Sequence, residues 1–298
     1  METETYVQSS DSSPLIPLKA ILPYVLQEVI DMSEKETHLP GLSTGFSALD
    51  RKILGLNKSD LIVLASRPNM GKTSLALNIA LNVAKTSTGT VALFPLATKK
   101  EKITERLLSI EALLDNYRLK TGELNELDWE KIAASVPALS YMDIRINDNP
   151  RLTVAEISEQ CQTVDNLGLV VIDDLQFITS ADENNNANES RYETVSAIFR
   201  RLKIMARELD APVLCLSSVN RANEKRDDKR PQLSDLRDSG VIEDYADIVM
   251  FLYRDEYYHE DSEKHHIAEC IVAKNRNGES GTVELLWTPE YCFYSNRK

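Results

Sequence analysis

From residue 41 onward the chain alternates short, unbroken apolar runs with longer segments in which apolar residues recur at helical spacing. LIVLA (61–65), TVALFPL (90–96), LVVID (169–173), PVLCLS (212–217) and IVMFLY (248–253) are continuous apolar runs of strand length, the pattern of strands buried on both faces. Between them, TSLALNIALNVAK (73–85) and YETVSAIFRRLKIMARELD (192–210) predict helices. In the second of these, Val195, Ile198, Phe199, Leu202, Met205 and Leu209 mark one face. Doubly buried strands separated by helices predict an α/β fold with a parallel, doubly wound sheet. Thr153 and Glu156 have the spacing of a capping box for the helix before LVVID. The pattern changes near the end, where IAECIVAK and TVELLW flank NRNGESG. Asn277-Gly278 is a strong turn signal there, so a C-terminal antiparallel hairpin is expected to close the domain. The chain shows no internal repeat.

The first forty residues follow a different rule. Residues 1–14 are Ser-rich and acidic with nothing to bury, and are expected to be a disordered tail. In residues 15–40, Ile21, Val25, Leu26, Val29 and Met32 lie at near-helical spacing and predict an amphipathic linker helix followed by a charged connector. Its apolar side has two uses, packing on its own domain or docking on a neighbouring subunit, and the pattern does not choose between them. Residues 41–298 are then one large domain.

Composition changes this picture in three places. The net charge of −13 means that any nucleic-acid binding has to come from a local basic patch, not from the global field. The four cysteines, Cys161, Cys215, Cys270 and Cys292, form no CxxC pair, and Cys215 and Cys270 fall inside strand-like runs, so they read as reduced core residues. The N-terminus has neither a signal-peptide apolar region nor a transit-peptide pattern, and no run approaches the ~18 apolar residues of a membrane span, so the expectation is a cytoplasmic protein with no membrane partner.

The chemistry concentrates in SRPNMGKTS, a phosphate-loop pattern running through Ser66, Arg67, Pro68, Asn69, Met70, Gly71, Lys72, Thr73 and Ser74. The loop amides and the positive end of the following helix suit phosphate oxygens, Lys72 suits the β and γ phosphates, and the Thr73 hydroxyl suits Mg²⁺. The loop follows an apolar strand and opens a helix, which is the context the pattern requires. LVVIDD ends a strand on Asp173, the expected acid on the metal side. The cofactors predicted are ATP and Mg²⁺.

Several separated stretches, GLSTGFSALD, ASRPNMGKTS, VVIDDLQF, LSSVNR, DKRPQLSDLRDSGVIEDYADIVMFLYRDEYYHE and AKNRNGESGTV, together resemble the C-terminal RecA-like motor domain of DnaB-type replicative DNA helicases. The resemblance spans roughly residues 15–298 and implies a hexameric ring that binds ATP and moves on single-stranded DNA. The family's helical N-terminal domain has no counterpart in this stretch. The resemblance implies that Lys72, Thr73 and Asp173 hold nucleotide and Mg²⁺, and that Lys274 and Arg276 are supplied to the γ-phosphate of the neighbouring subunit. It also implies a channel loop, NRANEKRDDKRPQLSDLRDSG, whose basic residues Arg221, Lys225, Arg226, Lys229, Arg230 and Arg237 outnumber its acids. Arg221, Arg226, Lys229, Arg230, Arg237, Asp238 and Gly240 are the expected DNA-binding positions. A second channel loop should follow VVIDDLQF, and there TSADENNNANES is polar and acidic, which lowers the expected DNA affinity.

Two departures fall on chemistry. The family carries a glutamate that prepares the attacking water where this chain has Ala97, and a glutamine sensor where it has Ser218. Losing one general base costs about 10² to 10⁴ in rate. Asp174, directly after Asp173, is the candidate replacement, with Glu101 a weaker one. Three readings follow: a DnaB-like motor with impaired hydrolysis, a non-motor ATP-binding ring subunit that regulates an active helicase paralogue, and a RecA-like ATPase of another role. A loader and primase are the replication partners the first reading implies.

Overall fold

The computed structural model describes residues 15–34, 37–87, 89–179, 191–236 and 239–297. The expected tail at 1–14, most of the acidic segment after VVIDDLQF (residues 180–190), and Arg237 and Asp238 lie outside the described residues. The chain divides into two units, residues 1–39 and 40–298. The first contains the predicted amphipathic helix, α1 (Leu18–Glu34), which has no buried residue.

The second unit opens with α2 (Ser47–Ile53) and continues β1 (Leu61–Ser66), α3 (Lys72–Thr86), β2 (Thr90–Pro95), α4 (Lys100–Ala112), α5 (Asn116–Thr121), α6 (Glu126–Tyr141), β3 (Ile144–Ile146), α7 (Val154–Gln162), β4 (Leu167–Asp173), α8 (Arg191–Glu208), β5 (Val213–Ser218), α9 (Ser239–Tyr245), β6 (Ile248–Tyr253), β7 (Ile267–Asn275), β8 (Gly281–Thr288) and β9 (Phe293–Asn296). The strands form one sheet in the order β3-β2-β4-β5-β1-β6-β7-β8-β9. The first six in that order are parallel, and β7, β8 and β9 add antiparallel.

Strand alternation explains why the predicted strands are apolar throughout. Ile62 and Leu64 of β1, Leu214 and Leu216 of β5, and Ile248, Met250 and Leu252 of β6 enter one core with Leu75, Ile79 and Val83 of α3. The intervening residues Leu61, Val63, Ala65, Val213, Cys215, Val249 and Phe251 enter a second core with Phe199, Leu202 and Met205 of α8. Helices therefore cover both faces, as the pattern required. The predicted capping box is present at α7, where Thr153 Oγ1 accepts from the Glu156 amide and Glu156 accepts from the Thr153 amide. Cys215 and Cys270 are fully buried and all four cysteines are free; burial pushes the Cys161 and Cys270 thiols up to about 12.

The hairpin of β7 and β8 also forms, but its reversal is wider than an Asn-Gly turn. Pairing with β8 ends at Val272↔Gly281, and neither Asn277 nor Gly278 enters the left-handed region. The Asn275 and Asn277 side chains are drawn instead to the Lys52 carbonyl at 2.9 Å and the Asp60 carboxylate at 2.5 Å. Tertiary hydrogen bonds thus override the local turn preference. The edge strands β3 and β9 escaped the pattern because three and four residues are too few to display a period.

Candidate nucleotide-binding site

The phosphate loop leaves the carboxyl end of β1, with β5 and then β4 beside it. Asn69 (φ 65°) and Gly71 (φ 94°) both adopt left-handed backbone. Glycine is required at 71 twice over, because a Cβ there would also come within 2.2 Å of the Tyr294 hydroxyl. That hydroxyl donates toward the Met70 and Gly71 carbonyls at 3.2 and 3.4 Å, so the missed strand β9 braces the loop from behind. Helix α3 starts at Lys72 with no side-chain cap, leaving first-turn amides for a ligand. A cleft of about 460 Å³ opens there, lined by every predicted loop residue except Met70. Met70 instead turns inward and is buried in the core.

Opposite the loop, the strand-end acid is where the sequence put it. Thr73 Oγ1 donates to Asp173 Oδ2 at 2.7 Å. Burial raises the Asp173 pKa, against the lowering effect of the Thr73 hydroxyl and the Lys72 charge, while Asp174 raises it further. Two hard oxygen ligands, one of them a partly buried carboxylate, beside an uncapped helix start and a lysine form a donor set that fits Mg²⁺ with a polyphosphate. Lys72 Nζ donates to Asp174 Oδ2 and to the Ser217 carbonyl, each at 2.8 Å. Ser218 Oγ donates to the same Asp174 oxygen at 3.1 Å. Asp174 is thus bound to the phosphate-loop lysine and to Ser218 at the end of β5. Ala97 lines the cleft without a functional group, whereas Glu101 is exposed in the first turn of α4 and does not line it. Sequence reasoning missed Arg106 of α4, which lines the cleft and lowers the Asp173 pKa by its charge. A lysine- and arginine-bearing helix with one cation facing the cleft gives no motif to find.

Lys274 and Arg276 lie at the end of β7, outside this cleft. Lys274 Nζ donates to the Glu243 and Ala246 carbonyls, the second at 2.6 Å. Burial, then the charge of Arg276, lowers its pKa. Arg276 donates to the Asp244 carbonyl at 2.8 Å and lies 3.4 Å from Asp247 Oδ1. Both therefore satisfy carbonyls at the end of α9, a favourable place for cations.

The channel-loop positions divide. Arg226 makes a fork on Asp235 at 2.8 and 2.6 Å, and Arg230 a fork on Glu269 at 2.7 and 2.9 Å. Lys229 donates to the Arg226 carbonyl at 3.3 Å and stands over the Tyr258 ring. Arg221 and Lys225 are exposed and have no ion-pair partner among the described residues. Gly240 is exposed in the first turn of α9, with open space around it. A larger, open groove of about 1150 Å³ lies apart from the phosphate loop, crossed by the ion pairs of Lys264 with Glu269 and Glu284.

Residues 41–296 match the DnaB-like helicase C terminal domain. The replicative DNA helicase DnaB of Geobacillus stearothermophilus is 41% identical over 292 residues, which is 97% of this chain and 64% of that protein. The chain thus spans somewhat under two thirds of this relative's length. Among solved structures, the ATPase domain of G40P superimposes with a TM-score of 0.87 at 35% identity, covering 93% of this chain and 99% of that one. A DnaB-like replicative helicase, described with its interactions with primase, superimposes with a TM-score of 0.85 at 35% identity, over 98% of this chain and 69% of that one.

Proposed function

From its membership of the DnaB-like helicase C-terminal domain family, we propose that this chain is the ATP-driven motor part of a replicative DNA helicase, acting as a ring on single-stranded DNA. The observation that carries the reading is the meeting of Lys72, Thr73 and Asp173 in one cleft, with Thr73 and Asp173 2.7 Å apart. Lys72 would hold the β and γ phosphates, and Thr73 and Asp173 would hold Mg²⁺, which would supply positive charge against that of the phosphates. Asp174 takes the place of the missing water-orienting acid, supported by its two hydrogen bonds inside the cleft. Lys274 and Arg276 serve the neighbouring copy's γ-phosphate; support comes from their position outside their own chain's cleft. Residues acting in trans require a neighbouring copy, and a homo-hexameric ring is the assembly this reading takes. Arg221, Lys225 and Lys229 supply phosphate contacts that read no sequence, as a translocating motor needs. Primase, a ring loader and a cytoplasmic location belong to the same reading; among the described residues no helix is long and apolar enough to cross a membrane.

One observation favours a second reading. Ala97 and Ser218 both line the cleft where the family's acid and sensor stand, which suits a ring subunit that holds ATP without turning it over and tempers an active paralogue. ATP turnover by the purified chain, with and without single-stranded DNA and with Lys72→Ala as background, separates the two. Turnover above background and stimulated by DNA is the expected result. Turnover equal to Lys72→Ala, with ATP still bound, selects the non-motor subunit.

A further inference from the structure

Arg67 belongs to the phosphate loop and lines the nucleotide cleft, yet its guanidinium is bonded elsewhere. Nη1 donates to the Val219 carbonyl at 2.9 Å and Nε donates to Glu224 Oε1 at 2.8 Å. The Val219 amide in turn donates to the Ser66 carbonyl at 3.1 Å. Three hydrogen bonds therefore join the phosphate loop to the start of the 219–236 segment. That segment is braced within itself: Val219 bridges Leu236, the Asn220 amide donates to the Asp235 carbonyl at 2.8 Å, Asn223 Nδ2 donates to the Lys229 carbonyl at 2.9 Å, and Arg226 forks onto Asp235.

The attachment is of the kind that changes. The Arg67 side chain is 14% exposed and that of Glu224 is 38% exposed, so this ion pair is open to solvent on its Glu224 side. A polyphosphate entering the cleft offers the same guanidinium a more highly charged, bidentate acceptor. We propose that the Arg67–Glu224 clasp is a positioning device that reports nucleotide occupancy to the 219–236 loop. With the cleft empty the guanidinium holds Glu224 and the Val219 carbonyl; with polyphosphate bound it turns to the phosphates, and the loop is loosened, keeping the Val219 amide's bond to the Ser66 carbonyl. The inference rests on the nucleotide-binding reading of the cleft. It assigns Glu224 the role of competitor for Arg67, so by linkage the loop and the nucleotide oppose one another's grip.

The test uses the full chain, a non-hydrolysable ATP analogue with Mg²⁺, hydrogen exchange across residues 219–236, and analogue affinity by fluorescence titration. In the wild type, the analogue is expected to speed exchange in this loop by about fivefold or more. Glu224→Ala is expected to exchange fast without nucleotide and to bind the analogue about two- to fivefold more tightly, because its competitor is gone. Glu224→Gln, which still accepts from Nε, is expected to fall between. A merely structural staple predicts unchanged or weaker affinity in Glu224→Ala, and that result overturns the proposal. Analogue bound with no change in loop exchange overturns it too, while leaving the nucleotide site standing. Failure of the wild type to bind the analogue removes the nucleotide reading and this inference together.

Discussion

Asp174 shows how far one residue's role depends on its surroundings. In the sequence it is the acid after Asp173; in the fold its Oδ2 receives both the Lys72 ammonium and the Ser218 hydroxyl. If Asp174 is the water-orienting acid, it is free to act only once a phosphate has drawn Lys72 away. Asp174→Asn is expected to lower ATP turnover by about 10² while the nucleotide still binds, measured in a coupled turnover assay beside a binding titration. Unchanged turnover would leave Asp174 as a partner of Lys72 only. The acid was visible in the sequence because it extends a strand-end motif. Its two donors were not, because one is about a hundred residues away in the chain and the other sits on the intervening strand β5.

At the scale of elements, β7 joins two jobs. At its end, Lys274 and Arg276 hold the carbonyls closing α9. If they also act in trans, an equimolar mixture of Lys72→Ala and Arg276→Ala chains, each inactive alone, should regain about a quarter of wild-type turnover, the share of interfaces pairing an intact Lys72 with an intact Arg276. No recovery would confine Arg276 to its own chain. In the body of β7, Glu269 is 2% exposed and takes Arg230 and Lys264. Burial raises its pKa, but hydrogen bonds and charge from those two partners outweigh that and hold it below the ordinary 4.5. A depressed carboxyl stabilises the fold fully above its unfolded pKa, and that stability is lost as pH falls through the folded value. Thermal melts should therefore decline with acid below about pH 4.5, and Glu269→Gln should flatten that decline. Arg230→Ala, which leaves the buried Glu269 carboxylate with Lys264 as its one remaining charged partner, should cost about 2 kcal/mol in denaturant melts at neutral pH. Arg230 was legible as a loop cation, but not as a structural one, because its partner lies thirty-nine residues on.

For the whole molecule, charge sets the terms. A chain of net charge −13 repels polyanions at long range, so any affinity for single strands has to come from exposed loop cations. Arg221 and Lys225 are exposed without ion-pair partners among the described residues. Replacing both with Ala should reduce the slope of log affinity against log salt by about 1.4 for single-stranded DNA, read from titrations at several salt concentrations. An unchanged slope would remove the pair from the DNA path. The amino-acid order by itself determined the doubly wound sheet, the phosphate loop, the α7 cap and the family, because each depends on neighbours within one turn, one strand or one motif. The tertiary structure alone decided which of the described loop cations lack an ion-pair partner among the described residues, what Asp174 touches, how Arg67 reaches Glu224 and why Gly71 cannot carry a side chain. Those outcomes depend on contacts between strand ends and loops far apart in the chain, and no local period or spacing encodes them.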